Sequence, residues 1–387
     1  MDAKQGVHEQ LEASRKSLID LSHRIHANPE LGWEEEKASM WVAEALSDAG
    51  FKVERKVCDL PTAVRARAGS GPLHIGFCAE YDSLPSIGHA CGHNVIAALG
   101  VGAAIALAKV ADDVGLTITL LGTPAEEIHP SGKIVMLERG AFDGLHAAMM
   151  VHPAPWDQVA PPIIAASMFD VIYRGKESHA SAFPERGINA ADALTVAQTS
   201  IALLRQHIRS TDRIHGIVTK GGAAPNIVPA YTSAKYMARS STLAQLKDLL
   251  PRVNRCFEAG ALATGCKLEI VGGDKPVAEM VTDRELAALY TRNAEGLGRK
   301  FDETQTAAGS TDMGNVSLAL PSIHPFVGIN SLPAVNHQPE FTAHCVREEA
   351  DRALFEGALA MAWTAIDAAQ DSALRSRLMA SELNPGS

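Results

Sequence analysis

The chain is constrained most by a polar, donor-rich segment that joins two apolar runs. The first run, 73–78, has the length of a buried strand, and the second, 95–110, has the length of a buried helix. The segment between them, 79–94, places a carboxylate, a thiol and two imidazoles in one strand-to-helix connection. In open α/β sheets, ligands bind in the crevice at the carboxyl ends of the strands. These side chains therefore predict a metal site where the first strand ends.

Composition limits the number of domains and the class of partner. At 387 residues the chain exceeds the length at which one hydrophobic core usually keeps growing, so we expect two domains. The net charge of −10 argues against nucleic acid or an anionic membrane as the main partner. A small molecule is therefore the expected partner.

Targeting and redox signals favour a cytoplasmic protein. Residues 1–10 contain no apolar segment of the kind found in secretory signals, and the apolar run 95–110 is short for a membrane span. The six cysteines show no spacing typical of a disulfide framework, which indicates a reducing compartment.

Apolar strands alternate with helices through residue 151, and this pattern predicts an α/β domain with a mixed, largely parallel sheet. The predicted strands are 52–58, 63–68, 73–78, 115–122 and 147–151, and the predicted helices are 8–27, 33–49, 94–110 and 133–139. The α/β pattern returns after residue 283, with a further strand at 323–329 and a long Ala-rich helix towards the end.

The middle of the chain has a different pattern. Strands are predicted at 168–173, 213–219, 231–239 and 267–271, and helices at 188–207 and 243–264. This order, strand-helix-strand-strand-helix-strand, is typical of the α+β split-βαβ (ferredoxin-like) fold. We therefore predict a catalytic domain formed by 1–166 and 276–387, with 167–275 inserted as a lid and dimerisation domain.

Metal-type donors follow several predicted strands of the first domain. They are Asp82, Cys91 and His93, then Glu126 and Glu127, then His152, and finally His337. One such residue alone is usually structural or solvated, but their convergence at one sheet edge predicts a metal site. Carboxylates with imidazoles and a thiolate suit zinc and also accept manganese. Five protein ligands are too many for one tetrahedral ion, whereas two ions about 3.5–4 Å apart could share one bridging donor.

The adjacent carboxylates Glu126 and Glu127 suggest how such a site would work. Neighbouring side chains in extended backbone point in opposite directions. One carboxylate can therefore bind metal while the other faces a bound water as a general base. The alternative for this pair alone is a solvated acidic loop.

Six segments resemble those of the di-metal aminoacylase and glutamate-carboxypeptidase family of metallopeptidases. They are 82–85 (Asp-Ser-Leu-Pro), 88–94 (Gly-His-Ala-Cys-Gly-His-Asn), 124–127 (Pro-Ala-Glu-Glu), 151–153 (Val-His-Pro), 226–229 (Asn-Ile-Val-Pro) and 336–341 (Asn-His-Gln-Pro-Glu-Phe). The most similar branch contains the amidohydrolases of N-acyl amino acids, aminobenzoyl-glutamate and related dipeptides. Many relatives have His-x-Asp where this chain has Glu80-Tyr81-Asp82, and Asp in place of Cys91, so the thiolate branch fits best.

The resemblance implies a role for each donor. Cys91 would bridge two divalent ions, zinc or manganese. The remaining ligands would be His93, Glu127, His152 and His337. Glu126 would act as general base and then as the acid that protonates the leaving amine, and Asp82 would be an orienting carboxylate beside the metals. His89 has no assigned role, and a structural hydrogen bond is expected for it.

The resemblance extends into the inserted domain. His179 matches a histidine that reaches the active site of the partner subunit in the family and stabilises the tetrahedral oxyanion. Asn226 and Arg239 resemble residues that hold the carboxylate of the substrate, for which a guanidinium is well suited. The edge strand and the outer helix faces of this domain are expected to support a homodimer.

Together these features predict a metal-dependent amidohydrolase that cleaves an N-acyl amino acid or a dipeptide-like substrate. Two alternatives stay open. One is a related hydrolase that acts on an aromatic amide or a ring amine, such as aminobenzoyl-glutamate. The other is a non-catalytic metal-binding or ligand-binding protein on the same scaffold, which the presence of Glu126 disfavours.

Overall fold

The computed structural model describes residues 2–306 and 308–381. The chain divides into two compact units. The first unit combines Met1–Pro162 with Met280–Ser387, and the second is the inserted segment Ile163–Glu279. The sequence predicts the corresponding boundaries at 166/167 and 275/276.

The elements are numbered in chain order. The strands are β1 (Lys52–Arg55), β2 (Val64–Gly69), β3 (Leu73–Glu80), β4 (Leu116–Thr123), β5 (Ala147–Met149), β6 (His152–Ala154), β7 (Ala165–Arg174), β8 (Arg213–Lys220), β9 (Tyr231–Ser240), β10 (Lys267–Gly272), β11 (Ser322–Ile323) and β12 (Phe326–Gly328). The helices are α1 (Ala3–Ala27), α2 (Glu36–Asp48), α3 (His93–Ala108), α4 (Gly132–Glu138), α5 (Ala190–Leu204), α6 (Leu243–Thr264), α7 (Arg284–Gly296), α8 (Met313–Ala319), α9 (Pro339–His344), α10 (Glu348–Gln370) and α11 (Ser372–Met379).

A mixed six-stranded sheet forms the centre of the first unit, in the order β1-β2-β4-β3-β5-β11. The strands from β4 to β11 pair in parallel, whereas β1 and β2 are antiparallel to their neighbours. Every residue of β3 is buried, as expected for a central strand covered on both faces. The predicted α/β class with a largely parallel sheet is confirmed.

Helix α3 is buried almost completely because it packs against α1, α10 and β3. Gly102 allows the close approach of α1, since a Cβ at this position would lie 2.8 Å from a methyl carbon of Leu18. The helix begins at His93, after Gly92 in the left-handed conformation with φ +84°. Packing of α3 therefore fixes the start of the helix, and with it His93, at the end of the sheet.

One predicted strand is shortened in the structure and another is divided. The apolar stretch 147–151 forms β5 in the large sheet and is followed by β6, which begins at His152 and pairs in parallel with β12. The stretch 323–329 is shared between β11 and β12, which belong to different sheets. His152 is therefore the first residue of a strand in a small second sheet.

The second unit contains an antiparallel sheet in the order β10-β7-β9-β8, with α5 and α6 packed against each other and against the sheet. Its order of elements, β7-α5-β8-β9-α6-β10, matches the predicted split-βαβ pattern. Apolar residues of β7, β9, α5 and α6 form a core of their own. β8 lies at one edge of the sheet, and most of its residues are exposed.

No helix within the described part of the chain combines the length and the apolar composition that a membrane crossing requires.

Candidate metal centre

The predicted donors of the first unit lie in four connections at the ends of its strands. Cys91 precedes α3 and His93 begins it, while Glu126 and Glu127 follow β4 directly. His152 begins β6, and His337 lies between β12 and α9 with φ +67°. The structure brings all of these side chains into one cluster.

Cys91 belongs to two groups of donor atoms, which we call the two donor groups. One group is Cys91, His93 and His152, and the other is Cys91, Glu127 and His337; within each group the ligand atoms lie within 4.8 Å of one another. Cys91 Sγ lies 3.4 Å from His152 Nε2. Glu127 Oε1 lies 3.3 Å from His337 Nε2. Zinc bonds of 2.0–2.3 Å at tetrahedral angles separate two ligand atoms by about 3.3–3.7 Å, so one pair of atoms in each group has the spacing of two ligands of one ion.

Asp82 connects the two groups. Its Oδ1 lies 2.9 Å from His93 Nδ1, and its Oδ2 accepts the backbone N–H of Glu127 at 2.9 Å. His152 Nδ1 similarly lies 2.8 Å from the Pro153 carbonyl. In neutral imidazoles these contacts require the proton on Nδ1, which leaves Nε2 of both rings available as a metal ligand.

Buried polar atoms without a hydrogen bond indicate where a cation fits. Among residues 2–306 and 308–381, His93 Nε2 and Glu127 Oε1 are buried and have no hydrogen-bond partner. Such groups are costly unless another ligand satisfies them. Because the two atoms face each other at 3.9 Å, the residues present fit divalent ions.

Electrostatics favour an ionised thiol in this cluster. Burial and the charge of Glu127 oppose ionisation of Cys91, but His152 and His93 outweigh them and lower the pKa of the thiol to about 6. Burial opposes ionisation of Glu127, but the neighbouring His337 and His93 outweigh it and lower the pKa of this carboxyl. Thiolate and carboxylate are the forms of these side chains that bind metal.

Glu126 has the opposite character. Its Oε2 lies 4.0 Å from His93 Nε2, and Glu126, His93 and Glu127 form a further group of donors within 4.8 Å of one another. Burial, followed by the charges of Glu80 and Glu127, raises the pKa of Glu126 well above its ordinary range. The adjacent carboxylates therefore differ in affinity for protons, which is the property that a proton-transferring residue beside a metal ligand requires.

A charged cluster that the sequence analysis did not identify lies behind Glu126. Lys133 is fully buried on α4, and its Nζ donates to Glu80 Oε1 and, at 2.6 Å, to Asp312 Oδ1. The Lys133 backbone N–H donates to Asp312 Oδ2 at 2.8 Å. Oxygen atoms of Glu80, Glu126 and Asp312 lie within 4.8 Å of one another. Only Glu80 lies in a segment with a recognisable pattern, so the sequence contains little signal for this cluster.

Glu35 is a second buried carboxylate that the sequence analysis did not identify. It is fully buried, and its Oε1 accepts the backbone N–H of Ala125 at 2.7 Å. Its Oε2 accepts a hydrogen bond from Thr62 Oγ1 at 2.8 Å. Ala125 has φ +56°, which is unfavourable for a residue with a Cβ. Glu35 therefore helps to hold the backbone immediately before Glu126.

Two further histidines lie close to the centre. The His324 ring packs against His152 with 5.5 Å between centroids, and burial lowers the pKa of His324 to about 3. His89 is also buried, and burial lowers its pKa to about 3 as well. Both rings are therefore neutral at physiological pH, and neither belongs to the two donor groups.

In the second unit, the structure brings His179 and Asn226 together. His179 forms a β-bridge with Ile227, and the Asn226 carbonyl accepts the N–H of Ala180 at 3.0 Å. His179 is exposed, and its Nδ1 accepts the N–H of Ala182 at 3.1 Å. The neutral ring must then carry its proton on Nε2, which makes this outward atom a hydrogen-bond donor.

Arg239 lies apart from this pair. It is the penultimate residue of β9, whereas Asn226 precedes the opposite end of the strand, which begins at Tyr231. Eight residues of extended strand span about 27 Å. Arg239 is half-buried, and burial lowers its pKa. Asn226 and Arg239 of one chain therefore do not form a single carboxylate-binding site.

This arrangement is typical of a metal-dependent hydrolase. It combines an α/β fold with two donor groups that share a thiol and with a carboxylate beside them that can accept a proton. The model of peptidase family M20/M25/M40 matches residues 77–361, and the chain belongs to this family. The predicted family and the predicted class of enzyme, a hydrolase of small amides, are confirmed.

Curated relatives and a solved structure resemble the chain over most of its length. It is 37% identical over 377 residues to the Xaa-Arg dipeptidase of Mus musculus, covering 93% of this chain and 87% of that protein. It is 31% identical over 306 residues to one of the subunits of the p-aminobenzoyl-glutamate hydrolase of Escherichia coli, covering 73% and 63%. A dinuclear metal binding peptidase of the M20 family from Bacillus subtilis superposes with a TM-score of 0.69 and 20% identity, covering 93% of this chain and 99% of that structure.

Proposed function

We propose that this protein hydrolyses the amide bond of a dipeptide or an N-acyl amino acid at a centre of two divalent metal ions. The observation that carries this proposal is the membership of Cys91 in both donor groups, which suits a bridging thiolate. His93 and His152 would be the further ligands of one ion, and Glu127 and His337 those of the other. Ions held there would lower the pKa of a water molecule to about 7 and polarise the amide carbonyl.

The side chains of the protein perform the proton transfers. Glu126 takes a proton from the attacking water and gives it to the departing amine, so it returns to its starting state in each cycle. Its raised pKa suits the second transfer, because the carboxyl group holds the proton from the water until the departing amine takes it. Asp82 keeps His93 in the tautomer that presents Nε2.

The relatives support a small peptide-like substrate. The mouse relative is an Xaa-Arg dipeptidase, and its similarity covers 93% of this chain, so a dipeptide is our first candidate. The Escherichia coli relative belongs to a p-aminobenzoyl-glutamate hydrolase, which supports an aromatic amide as the second candidate. Both substrates contain an amide bond beside a carboxylate, which Asn226 and Arg239 would bind.

We further propose a homodimer that forms through the second unit. The edge strand β8 exposes apolar side chains, with Ile217 66% and Val218 48% exposed. An exposed apolar edge strand is a template for pairing with another chain, and closed two-fold pairing removes it. A dipeptide is also far shorter than β9, so Asn226 and Arg239 can contact one substrate only if they come from different subunits.

In this arrangement His179 acts at the centre of the partner subunit. Its outward Nε2–H would donate to the oxyanion that forms when water attacks the carbonyl. Zinc is the first candidate for both ions, because a shared thiolate with imidazole and carboxylate ligands is a borderline-soft set, and manganese is the second. The six free cysteines support a reducing, cytoplasmic location.

The test is hydrolysis of a panel of substrates followed by mass spectrometry. The panel would contain Xaa-Arg and other dipeptides, N-acyl amino acids and aminobenzoyl-glutamate, each tested with metal-free protein and after addition of zinc or manganese. We expect metal to restore cleavage, Glu126→Gln to abolish it, and Glu44→Gln on the exposed face of α2 to leave it unchanged. Cleavage at the wild-type rate by Glu126→Gln would refute the proposed mechanism.

The dimer is tested by mixing two inactive variants. If His179 acts across subunits, His179→Ala and Glu126→Ala chains should form mixed dimers with one complete site. Random exchange would then restore about a quarter of the wild-type activity, because half of the dimers are mixed and half of their sites are intact. Action within one chain would restore none. Ile217→Lys should yield a monomer by light scattering, whereas the matched Leu318→Lys on α8 of the first unit, where the side chain is 49% exposed, should leave the dimer intact.

A further inference from the structure

The segment 30–35 lies between α1 and α2 and contacts two of the connections that carry the candidate centre. Its first residue, Glu30, accepts hydrogen bonds at its carbonyl from the backbone N–H and the hydroxyl of Ser83, at 2.8 and 2.9 Å. Leu31 forms a parallel β-bridge with the same residue. Ser83 directly follows Asp82, so this end of the segment holds the connection after β3.

The other end of the segment holds the connection after β4. Gly32 packs so closely against this connection that an added Cβ would lie 3.1 Å from the Cα of Ala125. Glu35 accepts the backbone N–H of Ala125, with 2.7 Å between the two atoms. One short segment therefore contacts both connections, including the residue that precedes Glu126.

Ala125 requires such support because its backbone conformation is unfavourable. Its φ of +56° lies in the left-handed region, which residues with a Cβ rarely adopt. The residue is fully buried and is held on both sides, since Glu35 accepts its N–H and its carbonyl accepts the N–H of Gly132 at 3.1 Å. Such conformations persist only where the surrounding contacts determine them, and they are frequent at functional sites.

The carboxylate of Glu35 is itself fixed by a chain of hydrogen bonds. Its second oxygen accepts a hydrogen bond from the Thr62 hydroxyl at 2.8 Å, and the Thr62 carbonyl accepts one from the hydroxyl of Tyr81. All three side chains are buried. The chain of bonds thus runs from the residue after β3 to Ala125, and Glu35 is the member that contacts the connection after β4.

We infer that Glu35 is a positioning residue for the general base. By holding Ala125 in the left-handed conformation, it keeps the following residue, Glu126, where proton transfer requires it. The inference rests on the proposed function of Glu126. Glu127 is held separately, because its backbone N–H donates to Asp82. Loss of Glu35 should therefore slow the chemical step and leave metal binding intact.

The first test needs no substrate. Hydrogen exchange of metal-free protein, measured by mass spectrometry on peptides that span 124–128, reports whether this connection depends on Glu35. We expect Glu35→Ala to speed exchange there at least about tenfold, and Glu35→Gln, which keeps an acceptor for the Ala125 N–H, to stay close to wild type. The control Leu378→Ala removes a buried side chain on α11 and should affect these peptides no more than the rest of the first unit. Wild-type exchange in Glu35→Ala would overturn the inference.

The second test is kinetic and uses metal-loaded protein with an amide that the wild type cleaves. Glu35→Ala should lower kcat at least about tenfold with KM and the number of bound ions unchanged, whereas Glu35→Gln should stay within about threefold of wild type. Adding Ala125→Gly to Glu35→Ala should restore part of kcat, because glycine adopts positive φ without the penalty of a Cβ.

The outcomes separate this inference from the proposed function. A merely structural role would lower the stability of Glu35→Ala with kcat unchanged, as we expect for Leu378→Ala, and would overturn the inference alone. A wild-type protein that cleaves no amide with metal present would overturn both. If Glu35→Ala does not fold, Glu35→Asp, whose carboxylate is one methylene shorter, replaces it in both tests.

Discussion

Glu35 makes the stability of the first unit depend on pH in a way that one substitution can isolate. Burial, and then the charge of Asp82, raises the pKa of Glu35 to about 7 from its ordinary value of 4.5. The side chain keeps its two hydrogen bonds from Ala125 and Thr62 in both protonation states, since both use its oxygens as acceptors. Glu35→Gln retains an acceptor for Ala125 but does not titrate.

The sign follows from proton linkage. Between pH 4.5 and 7, an unfolded chain has already lost the Glu35 proton while the folded chain still holds it. Folding therefore binds a proton, and the free energy of unfolding falls as pH rises through this window. At about 1.36 kcal/mol per pKa unit, the loss approaches about 3 kcal/mol above pH 7. Below pH 4.5 both states hold the proton, so Glu35 adds nothing to the pH dependence of the free energy of unfolding.

Urea unfolding of metal-free protein at pH 5 and pH 8 measures this effect. The four tryptophans all lie in the first unit, so their fluorescence reports the unfolding of the unit that contains Glu35. Between pH 5 and pH 8, we expect the free energy of unfolding of Glu35→Gln to rise by about 2–3 kcal/mol relative to that of wild type. The exposed Glu44→Gln should track wild type at both pH values. A wild-type to Glu35→Gln difference that is the same at both pH values would refute the reasoning.

Three further predictions concern the rest of the centre. Lys133→Met leaves two buried carboxylates without a counter-ion and should lower the free energy of unfolding by about 3–5 kcal/mol, and adding Asp312→Asn should restore part of the loss. Gly132→Ala would place a Cβ 1.8 Å from the Pro124 carbonyl oxygen, so it should displace the connection that carries the base and lower the rate at least about tenfold. The neighbouring Cys91 and Glu127 raise the pKa of His337 to about 11, so metal binding at pH 7 should release protons. Calorimetry in buffers of different ionisation enthalpy would count these protons, and no release would contradict the prediction.

The sequence predicts the parts of the centre that follow from strand ends. The donors after β3 and β4 stand where apolar runs stop, and parallel pairing of these strands brings their ends together. The sequence does not predict Lys133, because a lysine on a short helix is usually solvated, and its partners lie 53 and 179 positions away. Nor does spacing show that β6 lies outside the large sheet and pairs with β12, since the apolar run 147–151 covers β5 and ends directly before β6.

Charge balance favours two divalent ions at the proposed centre. The cluster contains five carboxylates and the Cys91 thiolate, opposed by the ammonium of Lys133; the carboxylates are those of Asp82, Glu80, Glu126, Glu127 and Asp312. One divalent ion would leave three negative charges unbalanced in a largely buried site, which is prohibitively unfavourable. Two ions leave one. Burial and the neighbouring carboxylates raise the pKa of Glu126, so the proton released by an attacking water would be held there until the leaving amine takes it.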